Sequence, residues 1–135
     1  QAAGVTVNGC FVLGLDGDTP DIFTQVRDFV RESGLLEVQV TALTPFPGTR
    51  LYDRLKAEGR LLRERFWDRC TLFDVNFRPK RMTVEDLEKG LRWLFGELYG
   101  EEVVQARRRR YVDIIKGLGG PESLPAGSLN VEADA

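Results

Sequence analysis

From Val5 to Leu15 the run VTVNGCFVLGL alternates, with Val5, Val7, Phe11 and Leu13 on one side and Thr6, Asn8, Cys10 and Val12 on the other. That is the period of a strand. Gly9 interrupts it and marks a bulge or a close approach by another group. In the following turn, GLDGDTP, Thr19 is expected to cap a helix and Pro20 to take its first position. Phe23, Val26, Phe29 and Val30 then recur at helical spacing, and Gly34 is expected to end the helix as a left-handed cap. A second alternating run, LEVQVTAL from Leu36 to Leu43, sets Leu36, Val38, Val40 and Ala42 against Glu37, Gln39 and Thr41. The turn TPFPGT and a short helix, RLYDRLKAE, closed by Gly59, complete a β-α-β-α order. Such an order predicts an α/β fold with parallel strands and a right-handed crossover.

Two parallel strands make a poor sheet by themselves, because parallel sheets need several strands and cover on both faces. The expectation is that residues 1–59 are the last βα units of a larger α/β sheet or barrel begun elsewhere. Residues 60–116 change character, being aromatic and basic at first, with a strand expected over Thr71 to Phe77. Thr83 and Asp86 have capping-box spacing, and Leu87, Leu91, Leu94, Phe95 and Leu98 form an apolar stripe that stops at Gly100. A further helix is expected from Glu101 to about Lys116, with Val103, Val104, Tyr111, Ile114 and Ile115 as its apolar points. From residue 117 to 135 the Gly, Pro, Ser and acidic residues read as a loose tail.

Composition narrows the chemistry. The chain of 135 residues has a net charge of −2, which gives no bulk reason to expect nucleic acid. No apolar run approaches the roughly 20 residues that span a bilayer, so no membrane partner is expected. There is no histidine, which excludes a Ser-His-Asp triad and the usual zinc sites within this chain. The two cysteines, Cys10 and Cys70, are expected to be buried thiols rather than a disulfide, as in a cytoplasmic protein.

The turn GLDGDTP offers backbone N–H groups at a helix start, yet Asp16 and Asp18 would repel a phosphate and no Walker lysine is present. Either Asp18 or Thr19 caps the helix while Gly17 permits the turn, or Gly14 lies close to a ligand at the carboxyl end of the strand, where α/β folds place their sites. Gln39 and Thr41 face either a wet barrel interior or solvent. The prolines of TPFPGT stiffen that loop into a wall or a connector. Arg107 to Arg110 cover every side of a helix and read as a solvated run, with a partner-binding role as the other choice. Trp67 and Trp93 are expected to pack in the core or between the two regions.

GCFVLGLDGDTPDIF followed by VTALTPFPGTRLYDRLKAEGRL resembles the last two strand-helix units of the radical S-adenosylmethionine (radical SAM) partial barrel. The form is closest to members that also carry an N-terminal cobalamin-binding domain. FWDRCTLFDVNFRPKRMTVEDLEKGLRWLFGELY resembles the extension that follows the barrel in that group. The resemblance implies a partial parallel TIM-like barrel in which a 4Fe–4S cluster cleaves S-adenosylmethionine to a 5′-deoxyadenosyl radical, with a cobalamin-dependent methyltransferase as one such enzyme. It implies that Phe11, Val12 and Gly14 border the adenosyl group and that Leu43 and Thr44 border the adenine. The family's Cys-x-x-x-Cys-x-x-Cys cluster motif does not occur here, and Gly9 and Gly14 are spaced one residue wider than the family's glycine pair. The implied partners are a missing N-terminal barrel half, which would hold the cluster, and a small-molecule substrate of unknown identity. The alternative is a non-catalytic α/β remnant that binds a protein through its helical extension.

Overall fold

The computed structural model describes residues 5–117, and the expected tail beyond them lies outside the described residues. The α/β class and the parallel order are borne out. Strand β1 (Asn8–Leu13) pairs in parallel with β2 (Glu37–Ala42) through α1 (Ile22–Ser33), and α2 (Arg50–Ala57) follows. Helices α3 (Val84–Tyr99) and α4 (Glu101–Gly117) come after a long irregular segment. No helix among the described residues is long and apolar enough to cross a membrane.

The alternation holds in part: Leu13, Val38, Val40 and Ala42 are buried and Asn8, Cys10, Glu37 and Gln39 exposed, but β1 is shorter than the expected Val5 to Leu15, leaving Val5 and Val7 exposed ahead of it, and Thr41 of the expected polar face is buried. Helices cover the apolar face, and the same cluster takes Phe23, Val26 and Val30 from α1 and Leu87, Leu91, Leu94 and Leu98 from α3. Side chains from both sides of residue 59 thus share one interior. The stripe works because α1 and α3 touch closely at Gly90, where a β-carbon would overlap the ring of Phe23. The register is continuous through Gly9, so there is no bulge. What comes close there is Leu35, whose Cδ1 would stand 2.5 Å from a β-carbon at Gly9.

Capping follows the sequence at the end of α1 and the start of α3, and the structure adds a cap at the start of α2. Gly34 is left-handed at the end of α1, Thr49 accepts from the Tyr52 N–H at the start of α2, and Thr83 and Asp86 form the capping box of α3. The start of α1 is different. It begins at Ile22, not behind Thr19, and Asp21 at its N-cap makes no side-chain cap bond. Asp18 has been drawn backward to the strand end, and the Thr19 carbonyl accepts from the Ile22 N–H in a turn of its own, so Pro20 precedes the helix.

Three further expectations are corrected. Thr71 to Phe77 is no strand, only a single antiparallel bridge between Leu61 and Phe77. The Thr71 hydroxyl takes the Phe73 and Asp74 N–H groups into a local turn, which competes with extended pairing. Trp67 and Trp93 are 55% and 39% exposed, the buried aromatic positions being held instead by Phe23, Phe66 and Phe77. Arg27 lies 5.3 Å from the centre of the Trp93 ring, giving that ring a surface role. Cys10 is exposed and Cys70 half-buried, and both are free thiols. Cys10 lies on the polar face of β1, which no element among the described residues covers.

Candidate functional site

The carboxyl ends of β1 and β2 lie side by side, joined by a bond from the Leu43 N–H to the Leu13 carbonyl at 2.8 Å. Gly14 turns the chain with φ of 99°, a left-handed angle that disfavours any side chain. The Asp18 carboxylate then accepts from the N–H groups of Gly14 and Leu15, both at 2.9 Å. Asp18 therefore closes the turn onto its own strand, and the left-handed angle falls at Gly14 rather than Gly17.

Asp16 gathers cations from three separate places in the chain. Arg54 on α2 reaches it at 2.6 Å, Arg60 in the following loop at 2.9 Å, and Lys80 at 3.1 Å. The Arg54 hydrogen bond, followed by those of Arg60 and Lys80, holds the Asp16 carboxyl well below the usual carboxylate range, against a burial that would raise it. Arg60 is the pivot of this group. Its side chain is only 11% exposed, it also meets Glu58 at 2.8 Å and donates to the Arg78 carbonyl at 2.7 Å, and it lies over the Phe77 ring. Arg81 adds a bond to the Gly17 carbonyl at 3.4 Å. The acidic turn is thus a docking point for the segment that follows α2. None of these four cations was picked out from the sequence, because their partner lies far away along the chain.

The five residues expected to border an adenosyl group divide by face. Val12 is 46% exposed on the uncovered side of β1. Phe11 points the other way, half-buried against the Phe29 ring. A β-carbon on Gly14 would meet Leu87 Cδ2 at 3.0 Å and Phe77 Cζ at 3.1 Å, so protein side chains already approach that glycine. Leu43 packs against the core. Thr44 is buried with its hydroxyl committed to the Ala42 and Thr71 carbonyls, at 3.1 and 2.9 Å. Of the two residues expected to face a wet barrel interior or solvent, Gln39 is exposed, while Thr41 is buried and donates to the Phe11 carbonyl at 3.4 Å.

The outer edge of β2 is closed in a way no sequence pattern announced. The Tyr99 hydroxyl accepts from the Val40 N–H at 3.1 Å and donates to the Val38 carbonyl at 3.0 Å. Beyond it, the Ala42 N–H donates to the Leu72 carbonyl at 2.7 Å. Alternate residues of a parallel strand bond to alternate neighbours. Since the Leu13 carbonyl bonds β2, the main-chain groups of Asn8, Cys10 and Val12 face the outer edge of β1, where the described residues supply no strand.

The chain matches the family model of a domain of unknown function, DUF4070, over residues 49–125. It belongs to that family. With it the chain is a member of the radical SAM superfamily, of the group that carries a B12-binding domain. It is 27% identical over 103 residues to the bacteriochlorophyllide d C-12(1)-methyltransferase of Chlorobaculum tepidum, covering 76% of this chain and 22% of the relative. It is 36% identical over 61 residues to the hopanoid C-2 methylase of Rhodopseudomonas palustris, covering 45% and 12%. An uncharacterized methyltransferase of Pyrococcus horikoshii is 29% identical over 96 residues, covering 71% and 21%. The chain thus spans about a fifth of the length of two of these relatives and less of the third. No solved structure matches it. The family match falls on α2, α3 and α4, the same elements that supply Arg54, Lys80 and Tyr99 around the strands or lead into them.

Proposed function

We propose that this chain forms the C-terminal end of a radical SAM methyltransferase. In this reading β1 and β2 are the last two strands of a partial parallel barrel, residues 1–59 belong to the barrel, 60–116 form its helical extension and 117–135 a tail. The observation that carries it is the pair of sheet edges. One is finished by Tyr99 and Leu72, while on the other the outward main chain of Asn8, Cys10 and Val12 has no strand beside it among the described residues. The named methyltransferases among the relatives support the reaction class.

The described residues fit S-adenosylmethionine in part. Val12 offers an apolar side chain on the uncovered face to an adenine, while the main-chain edge beside it is left for the added strand. Phe11, Leu43 and Thr44 would act from behind, by fixing the shape of the strand ends, and Gly14 by letting the turn close tightly. A cluster does not fit here, since no group of three or more His, Cys, Asp or Glu among the described residues is placed to hold a metal ion. Reductive cleavage of S-adenosylmethionine would be supplied by a 4Fe–4S cluster, and methyl transfer by cobalamin, both held by residues outside this chain. This chain's own part is to border the adenosyl group and to keep water from that side. The substrate is not specified by any residue described.

The test uses the protein with its upstream part. Val12→Glu is exposed enough to leave folding intact, and it should weaken S-adenosylmethionine binding at least tenfold by putting a carboxylate where an apolar surface is needed. Binding unchanged by Val12→Glu would remove the adenosyl role of this face. Hydrogen exchange at the Cys10 and Val12 amides should be slow in the long protein and fast in the 135-residue chain. Equal exchange in both would remove the added strand.

A further inference from the structure

Helix α1 is covered unequally on its two flanks. One flank meets α3, where the Arg27 guanidinium lies over the Trp93 ring, Arg31 pairs with Glu97 at 2.8 Å, and Phe23 closes on Gly90. Phe29 lies about half a turn round the helix from Arg27 and Arg31, so it stands on the other flank. There its ring meets Phe11 of β1 edge-on, with 5.9 Å between ring centres, yet Phe29 is 55% exposed. Ile22, two turns earlier on the same flank, is only half-buried.

Single exposed apolar side chains are ordinary on a protein surface. Here Phe11, Ile22 and Phe29 lie together on the helix-bearing side of the sheet, and they border the edge of β1 that has no strand beside it among the described residues. Three side chains cannot supply the roughly 20–30 residues a side that a stable interface between copies would use. A strand added in parallel beside β1 has other needs. It must reach β1 through a crossover of about a dozen residues or more, usually a helix. β1, α1 and β2 form one such crossover. Crossovers in one sheet keep the same right hand, so a preceding one lies on the same face as α1 and beside it.

We propose that the Phe29 flank of α1, with Phe11 and Ile22, is the seat of an amphipathic helix from the upstream part of the protein, the one that leads from the added strand into β1. The apolar stripe of that helix covers both rings, which carry large apolar areas for their size, and its outer face is polar. The proposal rests on the reading that a further strand adds to β1. It means that the upstream part is held at two places, by the main-chain edge of β1 and by an aromatic patch on the outside of the sheet.

The test uses the protein with its upstream part. Under hydroxyl-radical oxidation read by mass spectrometry, Phe29 should react no faster than buried Phe23, while Trp93, beside the opposite flank, should stay reactive. A photoreactive Phe29→p-benzoylphenylalanine variant should cross-link within its own chain, to the helix that runs into β1. Oxidation of Phe29 several-fold faster than Phe23 would overturn the proposal. So would a cross-link to a second copy, or to any segment other than a helix ahead of β1. Amide exchange at Cys10 and Val12 keeps this proposal distinct from the reading beneath it. Slow amides with an oxidised Phe29 would remove the helix and leave the added strand, whereas fast amides would remove both.

Discussion

The two edges of the β1–β2 ribbon are finished differently. On the β2 side a tyrosine hydroxyl and a loop carbonyl take the outward main-chain groups, and α3 packs its leucines beneath. On the β1 side the outward groups of Asn8, Cys10 and Val12 meet no strand among the described residues, and the side chains of that face are exposed. An unpaired parallel edge is costly to leave and easy to extend. The difference teaches that this sheet can lengthen in one direction only, and that the segment after α2 serves to close the other.

The largest test of that contrast is in packing. Leu94, fully buried in α3, should cost about 3 kcal/mol as Leu94→Ala, whereas Val12→Ala on the open side should change stability by less than about 0.5 kcal/mol. Comparable losses in urea unfolding would mean that the two sides are not distinct. Next comes the acidic turn. Asp16→Asn should cost about 2 kcal/mol, because it leaves the nearly buried Arg60 short of a counter-charge. The sign of the pH effect follows from the lowered carboxyl. The stabilisation is complete above the ordinary value of 3.8 and is lost as pH falls below it. Parent and variant unfolding curves, well separated at neutral pH, should therefore still differ near about pH 3 and approach each other only as the pH falls further toward the lowered carboxyl, and a gap unchanged by acid would contradict the ion-pair account.

A smaller effect is expected at the closed edge itself. Tyr99→Phe removes one oxygen that serves both Val40 and Val38, and should cost about 1 kcal/mol. Exchange at the Val40 amide should speed up while the Cys10 and Val12 amides stay as fast as before. If the Val40 amide remains protected, another group closes the edge. The smallest effect is chemical rather than energetic. Cys10, exposed on the open side, should react with a maleimide faster than half-buried Cys70, with no change in stability. The Cys10 advantage should vanish when the upstream part of the protein is present, and its persistence there would count against a covered inner face.

Much of the fold was legible because it is written in local periods. Val38, Val40 and Ala42 alternate as the strand requires, and Leu87, Leu91, Leu94 and Leu98 return once per helical turn. Thr83 and Asp86 are close enough in sequence to satisfy each other wherever the helix goes. Asp18 could have capped α1 by the same local logic, yet the strand-end amides of Gly14 and Leu15 were equally near and won. The candidate site was less legible. Periodicity said that Val12 and Phe11 face opposite ways, but it could not say that Leu87 and Phe77 would crowd Gly14 or that Thr71 would claim the Thr44 hydroxyl.

The sequence by itself determined the β-α-β-α order, the buried faces and most of the helix ends, since each depends on residues within a few positions of one another. Only the tertiary structure decided that Asp16 would collect Arg54, Arg60 and Lys80 and that Tyr99 would seal one strand edge. Those outcomes turn on charges and hydrogen-bonding groups meeting across long loops. A hydroxyl or guanidinium carries no periodic signal of its own, and its partner is set by where the packed helices happen to deliver it.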